Sequence, residues 1–177
     1  MSKVSELHKT ISPKSVGIYI VTCSTSKFNQ LKARESVDDA SGDLIEQLIK
    51  RAGHRVAGRE LISDSITMIR RTTKRAMASN GVDALIITGG TGLSPRDVTV
   101  AGVERFIDKE IPGFGELFRK ISFDKIGSPA MLSRAMAGSC AGKLIFCLPG
   151  SPDGVQTALE QLIIPELGHM IKVCREQ

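Results

Sequence analysis

Short apolar runs, separated by stretches of helical length, set the strongest limit on how this chain can fold. Val16–Cys23 (VGIYIVTC), Ala84–Ile87 and Lys143–Leu148 (KLIFCL) are dominated by aliphatic and β-branched residues. Each is too short for a buried helix and is bounded by polar, Gly or Pro residues, the pattern of a strand covered on both faces. Between them the period changes. Ser41 and Gly42 precede Leu44, Ile45, Leu48, Ile49 and Ala52, a helical stripe that closes at Gly53. Arg55–Ile62 reads as a second, more exposed strand, and a helix is expected from about Ser65 to Ser79, stopping at Asn80 and Gly81.

The rest of the chain continues the alternation. A helix is expected after Thr99, and Ser128 with Pro129 reads as an N-cap and first-turn proline ahead of a helical Met131–Ala137. The last helix should begin at Pro149-Gly150-Ser151-Pro152, carry Val155, Ala158, Leu159, Leu162 and Ile163, and break at Pro165 before an amphipathic tail. Ser24–Ala40 reads as a polar loop, residues 1–15 as a flexible leader and residues 16–177 as a single domain. Strands alternating with helices in this way give an α/β layer fold with a mostly parallel sheet.

Composition narrows the class. In 177 residues, 41% are hydrophobic and 24% charged, enough apolar side chain for a substantial core, and with no Trp and 4% aromatics that core must be aliphatic. The four cysteines form no C-x-x-C pair, and Cys23 and Cys147 lie in apolar runs, so reduced, buried thiols are expected. No apolar stretch is long enough to span a bilayer and no signal core precedes the fold, so the expected address is cytoplasmic, with no membrane partner. A net charge of +5 suits an anionic ligand, but the scarcity of stacking aromatics argues against nucleic acid. The basic cluster Arg70, Arg71, Lys74 and Arg75 reads as a solvated helix face.

In sheets of this kind ligands bind beyond the carboxyl ends of the strands, which directs attention to Ser24–Ser26, Ser63–Ser65, Gly89–Asp97 and Pro149–Gly154. The most informative is Thr88-Gly89-Gly90-Thr91-Gly92-Leu93-Ser94-Pro95-Arg96-Asp97-Val98-Thr99. Its glycines let backbone amides approach an anion without a Cβ in the way, and Thr91 and Ser94 can add hydroxyls. A simple tight connection has the same composition. Asp97 suits a divalent metal, or equally a helix-start acid or a partner of Arg96. Asp64 comes to the same sheet edge and could share that ion, or could with Ser65 supply a helix N-cap. Pro149, Gly150 and Ser151 form a second candidate phosphate turn that is also a plain cap. His8, His54 and His169 are scattered, so no zinc spacing arises, and periodicity alone assigns nothing to Glu116 or Ser133.

Five motifs in fixed order then carry a resemblance: Asp39-x-Ser41-Gly42, TGGTGLSPRDVT (Thr88–Thr99), PGFGELFR (Pro112–Arg119), LSRAMAG (Leu132–Gly138) and LPGSP (Leu148–Pro152). Together they resemble the MoaB/MogA family of molybdenum cofactor biosynthesis proteins over Val16 to about His169. The resemblance implies a three-layer α/β/α sandwich that forms trimers or hexamers and binds molybdopterin, a pterin with a dithiolene and a terminal phosphate. Active members transfer AMP from Mg-ATP to that phosphate with release of pyrophosphate; a non-catalytic carrier of the same pathway is the alternative. By position, Asp64 and Asp97 are implied as the catalytic, Mg2+-holding carboxylates. Gly89, Gly90, Thr91, Gly92, Ser94, Pro149, Gly150 and Ser151 are implied as phosphate contacts, with Glu116 and Ser133 bordering the pterin or nucleotide. The chain departs from the family at Thr22–Lys27, where many relatives place an acid and an arginine.

Overall fold

The structure, a computed structural model, describes residues 12–176. Most of the expected leader, with His8, lies outside them. Within them the expected alternation appears as β1 (Gly17–Cys23), α1 (Thr25–Lys32), α2 (Ala40–Arg51), β2 (Arg55–Ile62), α3 (Ile66–Ala78), β3 (Ala84–Thr88) and α4 (Thr99–Val103). There follow β4 (Lys109–Glu110), α5 (Pro112–Ile126), β5 (Met136–Cys140), β6 (Lys143–Leu148), α6 (Pro152–Ala158) and α7 (Ile164–Arg175). The strand order is β2-β1-β3-β6-β5-β4, parallel from β2 to β6 and antiparallel at β5 and β4.

The apolar runs act as two-sided strands because side chains alternate across the sheet. Ile18 and Ile20 of β1, Ala84 and Ile86 of β3, and Leu144, Phe146 and Leu148 of β6 face one layer, packed on Ile45, Leu48 and Ile49 of α2, Phe118 of α5, Val155 and Ala158 of α6 and Leu167 of α7. Val21 and Cys23, Leu85 and Ile87, and Ile145 and Cys147 face the other, against Ile69 and Ala76 of α3 and Val103 of α4. The result is the three-layer α/β/α sandwich. Phe146 is fully buried and meets the Phe114 ring edge-on at 5.6 Å, a rare aromatic pair in an aliphatic core.

Register positions the loops. Cys23 pairs with Ile62, Thr22 with Thr88, and Thr88 with Leu148, so the four parallel strands finish at nearly the same level. The turns that leave them emerge side by side along one rim.

Three sequence expectations are corrected. The polar loop Ser24–Ala40 contains helix α1, which buries no residue and so shows no apolar stripe. It is held by its ends: Ser24 caps it by accepting from Lys27 N–H, and Lys32 sits 4.8 Å over the Phe28 ring. Met131–Ala137 is not a helix. A 3-10 turn over Ser128–Leu132 gives way to β5, which pairs with β6. The helix-forming Ala and Met residues there are overridden by close packing, since a Cβ on Gly138 would lie 2.6 Å from Ile107 Cγ2. The last helix is not broken at Pro165 either. A π-helical turn over Leu159–Ile163 carries the chain into α7, whose first turn takes the proline, where no intrahelical N–H is needed. The basic cluster behaves as expected for its outer members: Arg71, Lys74 and Arg75 are exposed and Arg75 pairs with Glu60.

The opposite rim is tied by Asp83. Its carboxylate accepts from Gly17 N–H at 2.6 Å and from Arg175 Nη2 at 2.6 Å, joining the starts of β1 and β3 to the final helix. Burial would raise its pKa, but the Arg175 guanidinium and the Gly17 amide outweigh that and hold it below the ordinary carboxylate value.

Two outcomes follow for stability. Phe146→Ala should cost about 3–5 kcal/mol through transfer and cavity terms, read as a lowered denaturation midpoint at unchanged slope. Asp83→Asn should cost about 1 kcal/mol at pH 7, the low end for charged bonds because solvent screens this pair. Because the folded pKa is depressed, that contribution is present above the unfolded value and lost as pH falls below about 4. Denaturation of wild type and variant should therefore differ at pH 7, and the difference should shrink as the pH is lowered through the depressed folded value.

Candidate active site

A cavity of about 630 Å³ opens at the rim where β1, β3 and β6 end. Both candidate acids, Asp64 and Asp97, line it, together with Gly89, Gly90, Thr91, Gly92, Ser133, Pro149, Gly150 and Ser151.

The Gly89–Gly92 turn is shaped by crowding. Gly89 and Gly90 have φ of +93° and +64°, a region costly for other residues. A Cβ on Gly89 would sit 2.3 Å from Cys23 O, and one on Gly90 would sit 2.5 Å from Thr99 Oγ1. Hydrogen bonds close the turn: Gly89 N–H donates to Leu148 O at 3.1 Å, Thr99 N–H to Gly90 O at 3.0 Å, and Thr99 Oγ1 to Gly89 O at 2.8 Å. The amides of Gly90, Thr91 and Gly92 donate to no acceptor among the described residues. An anion would supply that acceptor.

The Pro149–Ser151 turn packs directly on the first. A Cβ on Gly150 would lie 3.3 Å from Gly89 Cα, and Thr88 Oγ1 donates to Pro149 O at 2.6 Å. Ser151 is the N-cap of α6, accepting from Gly154 N–H at 3.2 Å. Cap and cavity wall are therefore compatible roles for Ser151.

The motif Asp39-x-Ser41-Gly42 supports this rim. Ser41 Oγ donates to Gly150 O at 2.7 Å, while Asp39 caps α2 and receives Thr22 Oγ1–H at 2.9 Å and Arg59 Nη2–H at 2.7 Å. Partial burial opposes charge on Arg59, but Asp39, Asp43 and Glu46 together raise its pKa. The network braces the loop between β1 and α2.

Asp64 is not the helix cap: Ser65 takes that position, accepting from Met68 N–H. Asp64 Oδ2 instead accepts from Thr25 N–H at 2.7 Å and Thr25 Oγ1 at 2.9 Å. Asp97 Oδ2 accepts from Ser94 N–H at 2.8 Å, which curls Gly92–Asp97 on itself. Each carboxylate lies against a glycine of the turn. Asp64 Oδ1 is 3.2 Å from a Cβ built on Gly90, and Asp97 Oδ2 is 2.8 Å from one built on Gly92.

The other candidates separate. Ser94 is exposed and serves the loop, its Oγ accepting from Arg96 N–H at 3.2 Å. Glu116 lines a neighbouring cavity of about 650 Å³ with Arg119 and Arg134, and Ser133 lies on the wall between the two cavities. Of the histidines described, His54 accepts from Val16 N–H, and burial lowers its pKa, while His169 borders a third cavity.

Sequence reading missed the opposite wall. Phe118, Ser122, Lys125 and Ile126 of α5 line the cavity at i, i+4, i+7 and i+8 spacing, and Lys27 joins from α1. That spacing was available in the sequence, but polar Ser122 and Lys125 obscured it. Lys125 Nζ donates to Thr157 Oγ1 at 2.8 Å, and Lys27 Nζ to Asp38 O at 2.6 Å, so both ammonium groups are held in place. Cys23 also lines the cavity, but burial pushes its thiol up to about 12, so it stays protonated near neutrality.

Among the described residues no group of three or more His, Cys, Asp and Glu could hold a metal ion. Two carboxylates beside a turn with amides unpaired among the described residues still suit Mg2+, which is commonly held by one or two carboxylates plus phosphate oxygens and water. The cavity can thus meet several negative oxygens with backbone amides and ammonium groups, while its acid pair suits a divalent cation rather than the anion itself.

Comparison with known proteins agrees with this architecture. The chain is 43% identical over 164 residues to molybdenum cofactor biosynthesis protein B of Bacillus cereus, covering 92% of this chain and 93% of the relative. It is 39% identical over 170 residues to a protein of Methanocaldococcus jannaschii named "Probable molybdopterin adenylyltransferase", covering 96% and 99%. A crystal structure of molybdenum cofactor biosynthesis protein B superimposes with a TM-score of 0.85 at 41% identity, covering 94% of this chain and 99% of the other. The tungsten cofactor synthesizing protein MoaB of Pyrococcus furiosus superimposes at 0.81 with 31% identity, covering 93% and 100%. With residues 19–169 also matching the MoCF_biosynth family, described as "Probable molybdopterin binding domain", the chain belongs to that family of molybdenum cofactor biosynthesis proteins.

Proposed function

We propose that this protein is a molybdopterin adenylyltransferase, transferring AMP from Mg-ATP to the terminal phosphate of molybdopterin. The observation that carries the reading is the pair Asp64 and Asp97, brought from different loops against Gly90 and Gly92 of a glycine turn whose Gly90–Gly92 amides meet no acceptor among the described residues. The name of the Methanocaldococcus jannaschii relative supports the same activity.

In this reading a molybdopterin phosphate oxygen attacks the α-phosphorus of ATP, the bond from that phosphorus to the bridging oxygen breaks, and pyrophosphate leaves. Reactions of this kind depend on positioning and charge neutralisation more than on a protein nucleophile. That agrees with the neutral Cys23 thiol in the cavity. The amides of Gly90–Gly92 and of Gly150 and Ser151 cradle phosphate oxygens, and Lys27 and Lys125 add positive charge at the walls. Asp64 and Asp97 would hold Mg2+, which supplies charge neutralisation on the transferring phosphoryl oxygens. Phe118, Ile126, Ala130 and Leu132 give the cavity an apolar side suited to a pterin ring.

Among the described residues no helix is long and apolar enough to cross a membrane. We place the activity in the cytoplasm. A homotrimer or homohexamer belongs to the same proposal, supported by large exposed apolar side chains at Leu117, Phe123, Ile126, Met131 and Leu132. Ser94 is reassigned to shaping the loop and Glu116 to the adjoining cavity.

Asp97→Asn tests the assignment. It keeps size and most hydrogen bonding but removes a charge, so molybdopterin binding should persist while AMP transfer falls at least a hundredfold, measured by pyrophosphate release and product mass. Transfer at the wild-type rate would refute the role of Asp97. Stoichiometric pterin binding with no adenylylated product from the wild type would identify a carrier instead.

A further inference from the structure

The segment that follows β1 supplies a partner for Asp64. Thr25 is the first residue of α1, the helix hidden in the polar loop. Its hydroxyl is fully used: it donates to Asp64 Oδ2 at 2.9 Å, accepts from Asp64 N–H at 3.1 Å, and lies 3.0 Å from Ser63 Oγ. With its one hydrogen given to Asp64, it can only accept from Ser63. Thr25 N–H adds a second donor to the same carboxylate oxygen at 2.7 Å.

An aspartate carboxyl turns easily about its last torsion, whose wells are broad. Two donors on one oxygen remove that freedom. With Oδ2 occupied, Oδ1 is the oxygen that faces the Gly90 turn. We propose that Thr25 is a positioning residue: it locks the Asp64 carboxylate so that one oxygen is spent on the protein and the other is presented to the cavity. What that free oxygen meets, a divalent ion with nucleotide phosphates, rests on the function proposed above.

The clamp also explains a helix that buries nothing. Among its described roles, α1 places Thr25 against Asp64 at one end of its first turn and Lys27 on the cavity wall. Ser24 N–H donates to Ile62 O at 2.9 Å, anchoring the cap to the end of β2, the strand that leads into Asp64. The positioning residue and the residue it positions are therefore fixed to the same strand end.

The test uses two variants of the full chain and a readout independent of turnover. Thr25→Val keeps the backbone amide and branched shape but deletes the hydroxyl; Thr25→Ser keeps the hydroxyl. Thr25 is exposed, so both should melt within a few degrees of the wild type. Binding of Mn2+, as a spectroscopic substitute for Mg2+, is measured with ATP present by the paramagnetic resonance signal of the free ion. Binding should weaken about tenfold in Thr25→Val and stay within about twofold in Thr25→Ser, in keeping with loss of one charge-assisted hydrogen bond at a partly exposed site. Equal binding by wild type and Thr25→Val overturns the inference, as does an equal loss in both variants, which would make the helix start rather than the hydroxyl responsible. Failure of the wild type to take up Mn2+ beyond what ATP binds in free solution overturns the nucleotidyl-transfer reading itself, and this inference with it. The wild-type arm distinguishes the two failures.

Discussion

The molecule depends on strand ends held level. Parallel pairing of β2, β1, β3 and β6 brings Ile62, Cys23, Thr88 and Leu148 to one rim, and the bond from Gly89 N–H to Leu148 O locks the two central turns together. Strands β1, β3 and β6 stay in register because both their faces are apolar: a slip by one residue would exchange the two sets of side chains between layers. The aliphatic packing beneath Ile86 and Phe146 is thus the source of the precision above it. Displacing the core would displace the cavity.

Each part of the rim combines a structural and a chemical demand. Ser151 caps a helix and lines the cavity, and Thr99 closes the glycine turn while limiting what side chain could stand at Gly90. Asp39 spends its charge on Arg59 and the α2 amides, so it braces the neighbouring loop instead of facing a ligand. Asp64 and Asp97 each keep a hydrogen bond to a nearby loop or helix start, which holds two like charges near one turn without a buried cation between them. Such an arrangement is stable in a solvated cleft and becomes more favourable when a divalent ion or other positive charge enters.

The signals that could be read in advance were those in which local and global demands agree. The continuous apolar run of β3, the stripe of α2 and the Gly-Gly-Thr-Gly turn each announce themselves because burial, period and turn chemistry act on contiguous residues. Helix α1 did not, since a helix with no buried face is stabilised by its cap and by contacts to distant Asp64 and Ile62. Strand β5 was hidden by residues that favour helices, and its pairing with β6 and β4, with the close approach of Ile107 to Gly138, selects the extended form. The wall formed by Ser122 and Lys125 went unnoticed because a polar residue facing a cavity looks, in sequence, like one facing water.

By itself the sequence determined the layer class, the order of most elements, the aliphatic nature of the core and the turns able to approach an anion, because these follow from short-range period, propensity and backbone freedom. The tertiary structure alone decided which side chains meet. It placed Asp64 and Asp97 against Gly90 and Gly92 of one glycine turn, sent Glu116 to an adjoining cavity, and set Thr25 on Asp64 across 39 residues of chain. Contacts of that kind are chosen by strand order and register, which depend on the simultaneous packing of both faces of the sheet and cannot be read from any single stretch of residues.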